Sequence, residues 1–464
     1  MQQSYDVIIV GAGPAGIFAA LKLVEDTKLK VLLVEKGPGI KGRICPSAEK
    51  KITCIRCEPC RVVSGWGGAG ALSDGKLTLS ADVGGNLEDY IGRNRLEDLI
   101  QEVDAIYRRF GAPEELHGTD QEKIAELARQ ATLAELRLVN SKVRHLGTGR
   151  TINILEAMFE YLKDKMDIAL NTEVARLIVK DGKALGVELS DGVIIEGKYI
   201  VVAPGRAGAE WLAKEAADLK LSLAVNPVDI GVRVELPAAV MEKVTDVVWE
   251  AKLIYHSATF DDKVRTFCMC PYGEVVTENN DDLITVNGHS HAEKRTENTN
   301  FALLVSKNFT EPFKEPITYG RYIAGLANLL GGGVIVQRLG DLLDGHRSTK
   351  DRLKKGLVRP TLQDATPGDL SLVFPYRHLV NLLEMLKALD KLAPGVYSRH
   401  TLLYGVEVKF YSSRLNLNNQ LETQVQNLFA VGDGAGVTRG LIQASASGMI
   451  VAQAIEARSG KNSY

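Results

Sequence analysis

The stretch Tyr5-Asp-Val-Ile-Ile-Val-Gly-Ala-Gly-Pro-Ala-Gly16 decides the fold of this chain. An apolar segment typical of a buried β-strand leads directly into Gly11-x-Gly13-x-x-Gly16, and a helical run follows from Ile17 to Val24. In such a pattern the first glycine allows a tight turn, the second lets the backbone approach a pyrophosphate, and the third lets the helix pack on the strand. The N-terminus of the helix offers N–H groups and a positive dipole to phosphates. The stretch therefore predicts a dinucleotide-binding βαβ unit.

The residues around the glycines strengthen this prediction. Pro14 suits the first turn of a helix, where its missing N–H leaves no hydrogen bond unmade. A second apolar strand, Lys30 to Val34, ends in Glu35, about 20 residues on, where a carboxylate can accept hydrogen bonds from an adenosine ribose. The first group of predicted cofactor contacts is therefore Gly11, Gly13, Pro14, Ala15, Gly16, Glu35 and Lys36.

The glycine motif does not distinguish FAD from NAD, but the C-terminal part of the chain does. Asn427-Leu-Phe-Ala-Val-Gly-Asp-Gly-Ala-Gly436 reads as a buried strand that ends in Gly432-Asp433, with a helix over about Gly440 to Glu456. This segment resembles the closing motif of FAD enzymes of the glutathione-reductase type. The resemblance implies that Asp433 binds the ribityl chain and that the helix beginning near Gly440 points its N-terminus at the flavin.

Three further segments resemble the same family. Lys198-Tyr-Ile-Val-Val-Ala-Pro-Gly205 is similar to its strand end near the FAD pyrophosphate, with Pro204 in place of the usual threonine. Val174, in Asn171-Thr-Glu-Val174, stands where the family turns a valine backbone toward the adenine. Ser64-Gly-Trp-Gly-Gly-Ala-Gly70 is a glycine-rich loop of the kind that lines the flavin ring. These resemblances imply FAD, a yellow protein, and contacts at Val174, Gly67, Gly68, Ala69, Ala203, Pro204, Gly205, Gly432, Asp433 and Gly440.

Over nearly its whole length the chain resembles the uncharacterised FAD-dependent dehydrogenases of the glutathione-reductase-like flavoprotein superfamily. The most particular motifs are Gly65 to Lys76, Phe267-Cys-Met-Cys-Pro271 and Gly432 to Gly440. The Cys-x4-Cys pair and the NAD(P)H domain of the disulfide reductases have no match. We therefore expect electrons to come from a protein donor such as a ferredoxin, from the substrate, or from a transiently docked nicotinamide.

Composition limits the other classes of function. The 464 residues are enough for two or three domains, and the formal net charge of −2 argues against a nucleic-acid partner. No stretch approaches the roughly 20 apolar residues of a membrane span. No signal peptide is visible, so we expect a cytoplasmic protein.

The pattern of elements predicts an α/β fold with a Rossmann-like FAD-binding domain built from discontinuous segments. We place these FAD-binding segments at residues 1–83, 147–221 and 406–464. Residues 84–146 have apolar positions at helical spacing and are predicted to form a helical insertion. Residues 222–405 are predicted to form a substrate domain with a mixed β-sheet and helices.

Four of the six cysteines lie within sixteen residues, at Cys45, Cys54, Cys57 and Cys60. Two-residue gaps let successive thiolates converge on one centre, as in iron–sulfur and zinc sites. The segment from Cys54 to Cys60 resembles part of a ferredoxin-type run, and Cys45 is a candidate fourth ligand. The pattern fits a 4Fe–4S cluster, a zinc ion, a redox dithiol, or structural thiols without a metal.

Four residues outside these motifs are candidate catalytic groups. Cys268 and Cys270 stand two apart on a predicted strand and would therefore point the same way. Lys409 shares a strand face with Glu407, and a partly solvated face explains it as well as catalysis does. Arg439 follows the closing motif, where it would stabilise negative charge on a reduced flavin or simply cap a helix or bind phosphate.

The sequence thus predicts an oxidoreductase in which FAD exchanges electrons with a small organic substrate, with an iron–sulfur relay if the cysteines bind one. Two alternatives stay open. One is a non-redox flavoenzyme, such as an isomerase or hydratase, and the other is a redox-sensing flavoprotein.

Overall fold

The computed structural model describes residues 2–50, 55, 57–73, 75–224, 226–280, 283–290, 295–307, 309, 315–410 and 414–460. The described residues fall into two compact units. Unit 1 comprises those of Met1–Glu115, Arg144–Asn226 and Tyr411–Tyr464, and unit 2 those of Leu116–Val143 and Pro227–Phe410.

The α-helices are α1 (Pro14–Asp26), α2 (Pro46–Lys50), α3 (Glu88–Ile91), α4 (Arg93–Arg109), α5 (Gln121–Leu133), α6 (Thr148–Leu162), α7 (Ala209–Asp218), α8 (Ala238–Thr245), α9 (Pro316–Gly331), α10 (Leu339–Leu343), α11 (Lys350–Lys354), α12 (Tyr376–Leu392) and α13 (Leu441–Gly460). Within the described ranges, none of them has the length and apolarity needed to cross a bilayer.

The β-strands are β1 (Ser4–Val10), β2 (Val31–Val34), β3 (Lys76–Leu79), β4 (Arg137–Val139), β5 (Lys142–His145), β6 (Asp167–Ala169), β7 (Val174–Lys180), β8 (Lys183–Leu189), β9 (Ile194–Val202), β10 (Leu223–Ala224), β11 (Val228–Pro237), β12 (Lys252–His256), β13 (Lys263–Cys270), β14 (Glu274–Asn280), β15 (Leu283–His289), β16 (Asn298–Lys307), β17 (Ile335–Arg338), β18 (Thr366–Pro367), β19 (Leu402–Lys409), β20 (Arg414–Leu415) and β21 (Leu428–Ala430).

Unit 1 is built on a seven-stranded sheet with a parallel centre. The strand order is β6-β2-β1-β9-β8-β7, and β21 also pairs with β9. Strand β1 is parallel to both β2 and β9, and its residues alternate between two hydrophobic cores. Val7 and Ile9 pack in one core, while Ile8 and Val10 pack in the other. A strand buried on both faces explains the continuous apolar run before the glycine turn.

The first and last helices of unit 1 are in close contact. An added Cβ at Gly448 of α13 would stand 2.0 Å from the backbone oxygen of Ala15 in α1, so only glycine fits there. The predicted helix from Gly440 to Glu456 is present as α13. Strands β8 and β9 form an antiparallel hairpin around Asp191 and Gly192.

The predicted helical insertion, residues 84–146, does not form one element of the fold. Helix α4 buries its apolar positions, such as Leu99 and Val103, in a core of unit 1. Helix α5 buries Ile124 and Leu127 in the main core of unit 2, where β4 pairs with β12. The segment is divided between the two units because helices α4 and α5 pack against different hydrophobic cores.

Unit 2 contains an eight-stranded, largely antiparallel sheet with the order β18-β17-β19-β11-β16-β13-β12-β4. Strand β11 alternates strictly. Ile230, Val232 and Val234 face a core that includes residues of helices α5, α8, α9 and α12, whereas Arg233 and Glu235 lie on the opposite face. Because β19 pairs with β11 and β17, residues 406–410 belong to this sheet and not to the predicted third FAD-binding segment.

The second face of this sheet is covered by the hairpin of β14 and β15. An added Cβ at Gly288 would stand 2.1 Å from the guanidinium of Arg233 and 2.2 Å from Oδ1 of Asn300. Arg233 is therefore enclosed between the sheet and the hairpin, and the exposed fractions of Arg233 and Glu235 are zero.

His378 of α12 gives unit 2 a predictable dependence on pH. It is buried, and neither ring nitrogen has a hydrogen-bond partner within the described part of the chain. Burial lowers the pKa of His378 to about 4, helped by the cation of Lys307 and opposed by Asp262. An unfolded histidine titrates near pH 6.5, so between about pH 6.5 and 4 the unfolded state binds more protons than the folded state.

We therefore expect the free energy of unfolding of unit 2 to fall as the pH is lowered through that window. Substituting His378→Phe should flatten this slope, as measured by urea unfolding at pH 7.5 and pH 5. An unchanged slope would contradict the assignment.

Candidate cofactor site and polar sheet face

The glycine turn between β1 and α1 has the geometry of a phosphate cradle. Gly11 has φ +106°, and a Cβ there would stand 2.2 Å from the backbone oxygen of Ala203. A Cβ at Gly16 would stand 2.0 Å from the backbone oxygen of Gly11. At Gly13 a Cβ would meet no protein atom within 4 Å. The first and third glycines are thus required by protein contacts, and the second faces open space at the N-terminus of α1.

The glycine-rich loop of residues 64–70 is fixed against this turn. Gly67 N donates to Ala12 O at 2.8 Å, and an added Cβ at Gly68 would stand 3.0 Å from Gly13 Cα. Trp66 is fully buried and its indole N–H donates to the backbone oxygen of Leu155 at 2.7 Å. The predicted contacts Gly67, Gly68 and Ala69 therefore lie on a segment that is anchored beside the turn.

Arg43 holds the chain that leads into this loop. Its buried guanidinium donates to the backbone oxygens of Trp66 at 2.9 Å and Gly68 at 2.5 Å, and also to those of Arg61 and Val62. Burial lowers the pKa of Arg43 to about 10, against the opposing effect of the Glu35 carboxylate. The guanidinium stays charged at neutral pH and so provides strong donors to these four carbonyl groups.

Glu35, predicted to bind a ribose, is buried and accepts hydrogen bonds from backbone N–H groups. Its Oε2 accepts from Ala12 N, and its Oε1 accepts from Gly37 N and Gly65 N, each at 2.8 Å. A carboxylate has about four acceptor positions. Three of these positions are used here, so one is left for a ribose hydroxyl. The same carboxylate connects the three backbone segments that contain Ala12, Gly37 and Gly65. Its neighbour Lys36 is half-buried.

The predicted adenine segment lies beside the same strand end. Asn171 N donates to Gly37 O, and Thr172 N donates to Glu35 O, both at 3.0 Å. Val174 begins β7 directly afterwards and is buried. The backbone before Val174 is thus attached to the end of β2, as a nucleotide-binding edge requires.

The ends of β9 and β21 complete the cradle. Ala203 N donates to Val10 O at 2.7 Å, so the chain from Ala203 through Pro204 to Gly205 continues directly from the strand beside β1. A Cβ at Gly434 would stand 2.5 Å from Gly205 O, and a Cβ at Gly432 would stand 3.2 Å from Cβ of Ala15. The predicted FAD contacts therefore gather around one edge of the sheet.

The closing motif contacts residues 81–87. Asp433 Oδ1 accepts from the hydroxyl of Thr438 at 2.7 Å, and Arg439 N donates to Gly84 O at 2.8 Å. Gln443 is buried, and its amide bonds the backbone of Ala81, Val83 and Leu87. Gly440 and the half-buried Arg439 lie at the start of α13, in the position predicted for a flavin-facing helix end. Gln443 is a structural clamp between that helix and the preceding loop.

The predicted metal site at the cysteine segment lies only partly within the described residues. Cys45, Cys57 and Cys60 are partly exposed free thiols, and Cys54 lies outside the described residues. Among the described residues, no group of three or more His, Cys, Asp or Glu side chains could hold a metal ion. The chain that follows Cys60 is held by hydrogen bonds from the guanidinium of Arg43. No iron–sulfur or zinc chemistry is assigned to these thiols.

In unit 2 a buried network of charges lies on the enclosed face of the sheet. Arg233 donates to Asn300 Oδ1 at 2.8 Å and to the two carboxylate oxygens of Glu407 at 3.3 and 3.4 Å. The Nζ atom of Lys409 stands 3.0 Å from Glu407 Oε1 and 3.8 Å from Glu278 Oε2. Two cations therefore share one fully buried carboxylate.

The pKa shifts follow from this arrangement. Burial by itself lowers the pKa of Lys409, but the carboxylates of Glu407 and Glu278 outweigh it, and the pKa is raised. The pKa of Arg233 is raised in the same way by Glu407. Lys409 is therefore an ammonium ion at neutral pH and can act as a partner for an anion, but its raised pKa makes it a poor proton donor.

Cys268 and Cys270 both lie beside Arg233, but the strand between them is not regular. The register of β13 against β16 shifts between Phe267 and Cys270, and Cys268 has φ +47°. This bulge leaves Cys270 fully buried and Cys268 partly exposed. The Arg233 guanidinium donates to Cys268 O at 2.6 Å and lies 3.3 Å from Cys270 Sγ.

Sequence reasoning missed Arg233 and Glu235, the central charges of β11. Glu235 accepts hydrogen bonds from Thr361 Oγ1 at 2.6 Å, the hydroxyl of Tyr404 at 2.5 Å and Asn298 Nδ2 at 3.0 Å. Burial raises the pKa of Glu235, and these hydrogen bonds offset the rise only in part. The available signal was the period of two in Asp229, Arg233 and Glu235 within an otherwise apolar strand.

Comparisons with known proteins agree with this division. Residues 6–47 match the model of an FAD binding domain, and residues 227–410 match the model described as "FAD-dependent protein, C-terminal domain-like". We find no match among the curated proteins.

Solved structures with a similar fold include L-proline dehydrogenase from P. horikoshii, which is 11% identical over 98% of this chain and 94% of that chain, with a TM-score of 0.43. Glycine oxidase from Geobacillus kaustophilus is 13% identical over 98% and 95%, with a TM-score of 0.41. Formate oxidase from Aspergillus oryzae is 12% identical over 99% of both chains, with a TM-score of 0.46. Nothing about the substrate follows from these likenesses.

The two family matches, together with the cradle in unit 1, indicate the class of the protein: it is an FAD-dependent protein with an α/β fold. The residues of the cradle fit the cofactor, because the open space at Gly13 meets a helix N-terminus and two neighbouring strand ends.

Proposed function

We propose that the protein is a dehydrogenase or reductase of a small organic substrate, within the uncharacterised FAD-dependent dehydrogenases of the glutathione-reductase-like superfamily. The observation that carries this proposal is the cradle around Gly13. Bound FAD supplies the transfer of a hydride or of single electrons. The contacts assigned to FAD from the sequence, from Gly11 to Gly440, are proposed as its binding residues.

Unit 1 would bind and orient the cofactor. The N-terminus of α1 would neutralise the pyrophosphate, Glu35 would accept from the ribose, and Asp433 would accept from the ribityl chain. Arg439, at the start of α13, would stabilise negative charge on the reduced flavin. Arg43 would hold the loop of residues 64–70 in place through its hydrogen bonds to Trp66 O and Gly68 O.

Unit 2 would supply the substrate-handling groups. Lys409 is held as an ammonium ion by Glu407, which suits it to pair with an anionic substrate or with developing negative charge. Cys268 is the partly exposed thiol of the pair, so it is the better candidate for contact with substrate, and Cys270 would support it through Arg233. Glu407 acts as a positioning residue.

The experiment is an anaerobic reconstitution with FAD, followed by visible spectroscopy and assays for iron, sulfide and zinc. Electron donors are then screened with NAD(P)H, hydroxy acids and amino acids, and with dichlorophenolindophenol as acceptor. We expect a yellow protein that bleaches and turns over. Replacing Lys409→Met should lower the turnover by about 100-fold with FAD still bound, whereas the surface variant Lys355→Met should match the parent.

A protein that takes up no FAD would overturn the proposal. Conversion of an isomer without net electron transfer would favour the isomerase alternative. Stoichiometric iron and sulfide would restore the iron–sulfur relay and a ferredoxin-like donor, and unchanged turnover in Lys409→Met would remove that lysine from catalysis.

A further inference from the structure

The carboxylate of Asp433, in the closing motif, uses only one of its two oxygens within the protein. Oδ1 accepts a hydrogen bond from the hydroxyl of Thr438 at 2.7 Å. Within the described part of the chain, no donor contacts Oδ2, although the residue is half-buried. Each carboxylate oxygen has about two acceptor positions. Oδ2 is therefore available to a donor that the protein does not supply.

The backbone that carries Asp433 is fixed on both sides. Before it, Gly432 N donates to the hydroxyl oxygen of Ser447 in α13 at 3.1 Å. After it, Gly436 N closes a turn by donating to Asp433 O at 3.1 Å. The backbone thus sets the position of the side chain, and the hydrogen bond from Thr438 sets the direction in which its carboxylate is turned.

Thr438 is held in turn by the segment of residues 84–86. Arg439 N donates to Gly84 O at 2.8 Å, next to an antiparallel bridge between Gly85 and Thr438. An added Cβ at Gly85 would stand 2.8 Å from Thr438 Cα, so the two backbones are in close contact. Thr438 is only 2% exposed. Its hydroxyl is therefore a fixed donor to the carboxylate.

A fixed carboxylate with one oxygen available suits the recognition of a hydroxyl group, because little order has to be gained on binding. We propose that Thr438 is a positioning residue for the cofactor: its hydroxyl turns Asp433 so that Oδ2 accepts from a hydroxyl of the ribityl chain. This inference rests on the proposed function, in which Asp433 contacts that chain. It adds that residues 84–86 support cofactor binding through Thr438, as the second layer of a binding site does.

FAD and ADP together test this role, because ADP contains the adenosine diphosphate part of FAD and lacks the ribityl chain. Each is titrated into the full-length apoprotein by isothermal titration calorimetry. Thr438→Val removes the hydroxyl and keeps the shape of the side chain. We expect this variant to bind FAD about tenfold more weakly than the parent, as one lost charge-assisted hydrogen bond implies. It should bind ADP as the parent does, and Thr438→Ser, which keeps the hydroxyl, should bind both like the parent.

Thr423→Val is the matched control. Thr423 is also a buried threonine of unit 1, and its hydroxyl donates to Val425 O rather than to Asp433. Its affinities for FAD and ADP should equal those of the parent. A double-mutant cycle with Asp433→Ala then isolates the pair. With Asp433 already replaced, adding Thr438→Val should change the affinity for FAD by less than about twofold.

Equal affinities of Thr438→Val and the parent for FAD would overturn this inference and leave the proposed function intact. An equal loss with and without Asp433, or an equal loss for ADP and FAD, would overturn it as well. If Thr438→Val does not fold, weak FAD binding by Thr438→Ser or parental binding by Asp433→Ala would have the same meaning. A parent protein that binds ADP but not FAD would overturn the proposed function, and this inference with it.

Discussion

Gly13→Ala is expected to lower the affinity for FAD by about 30-fold while the protein remains folded, a loss of about 2 kcal/mol. The added methyl group meets no protein atom within 4 Å, and the φ of −75° at Gly13 is allowed for alanine. The methyl would instead occupy the space in which a pyrophosphate approaches the N-terminus of α1. The affinity is measured by fluorescence titration of the apoprotein with FAD.

Gly325→Ala is the matched control, because a Cβ there also meets nothing within 4 Å and the residue lies in helix α9 of unit 2. Its affinity for FAD should equal that of the parent. If Gly13→Ala binds FAD as tightly as the control does, the cofactor does not occupy the cradle in the proposed way.

Arg233→Met is expected to destabilise unit 2 by about 3–5 kcal/mol. The guanidinium is fully buried and is hydrogen-bonded to Glu407, Asn300 and the backbone oxygen of Cys268. Its removal leaves these acceptors without their donor in a region that water cannot reach. The free energy is measured by urea unfolding, followed through hydrogen exchange of peptides from residues 227–410.

The control for Arg233 is the surface pair between Arg399 and Asp344, in the same unit. Both side chains are exposed, so Arg399→Met should cost less than about 1 kcal/mol. A cost for Arg233→Met as small as that of the surface variant would contradict a structural role for the buried charge network.

The cofactor cradle was predictable because its signals are local. The turn at Gly11, the first helical position at Pro14 and the helix contact at Gly16 each follow from the residue type at that position. Gly13 could be assigned for the same reason, since what it requires is the absence of a side chain.

Contacts between distant segments could not be predicted in this way. Glu35 was placed correctly in sequence, but its bond to Gly65 N depends on how a loop 30 residues away folds back. No sequence pattern around Arg43 predicts that its guanidinium donates to four backbone oxygens. These partners are set by tertiary packing. Contacts of this kind leave no periodic pattern in a single sequence.

The polar face of unit 2 depends on register in the same way. Arg233 meets Glu407 because β11 pairs with β19 across 174 positions of sequence. Alternation alone did not predict the bulge at Cys268, which adds one residue to β13 and shifts its register against β16.

The contact of Gly448 with Ala15 joins the beginning of the described chain to its last helix. The cradle also needs Gly432 and the start of α13, which lie more than 400 residues after the glycine turn. During synthesis the cradle around the glycine turn therefore stays incomplete while more than 400 further residues are added. Binding of the flavin would then indicate that unit 1 is complete. A nascent chain stopped before α13 should remain colourless even if its first strand and glycine turn have already formed.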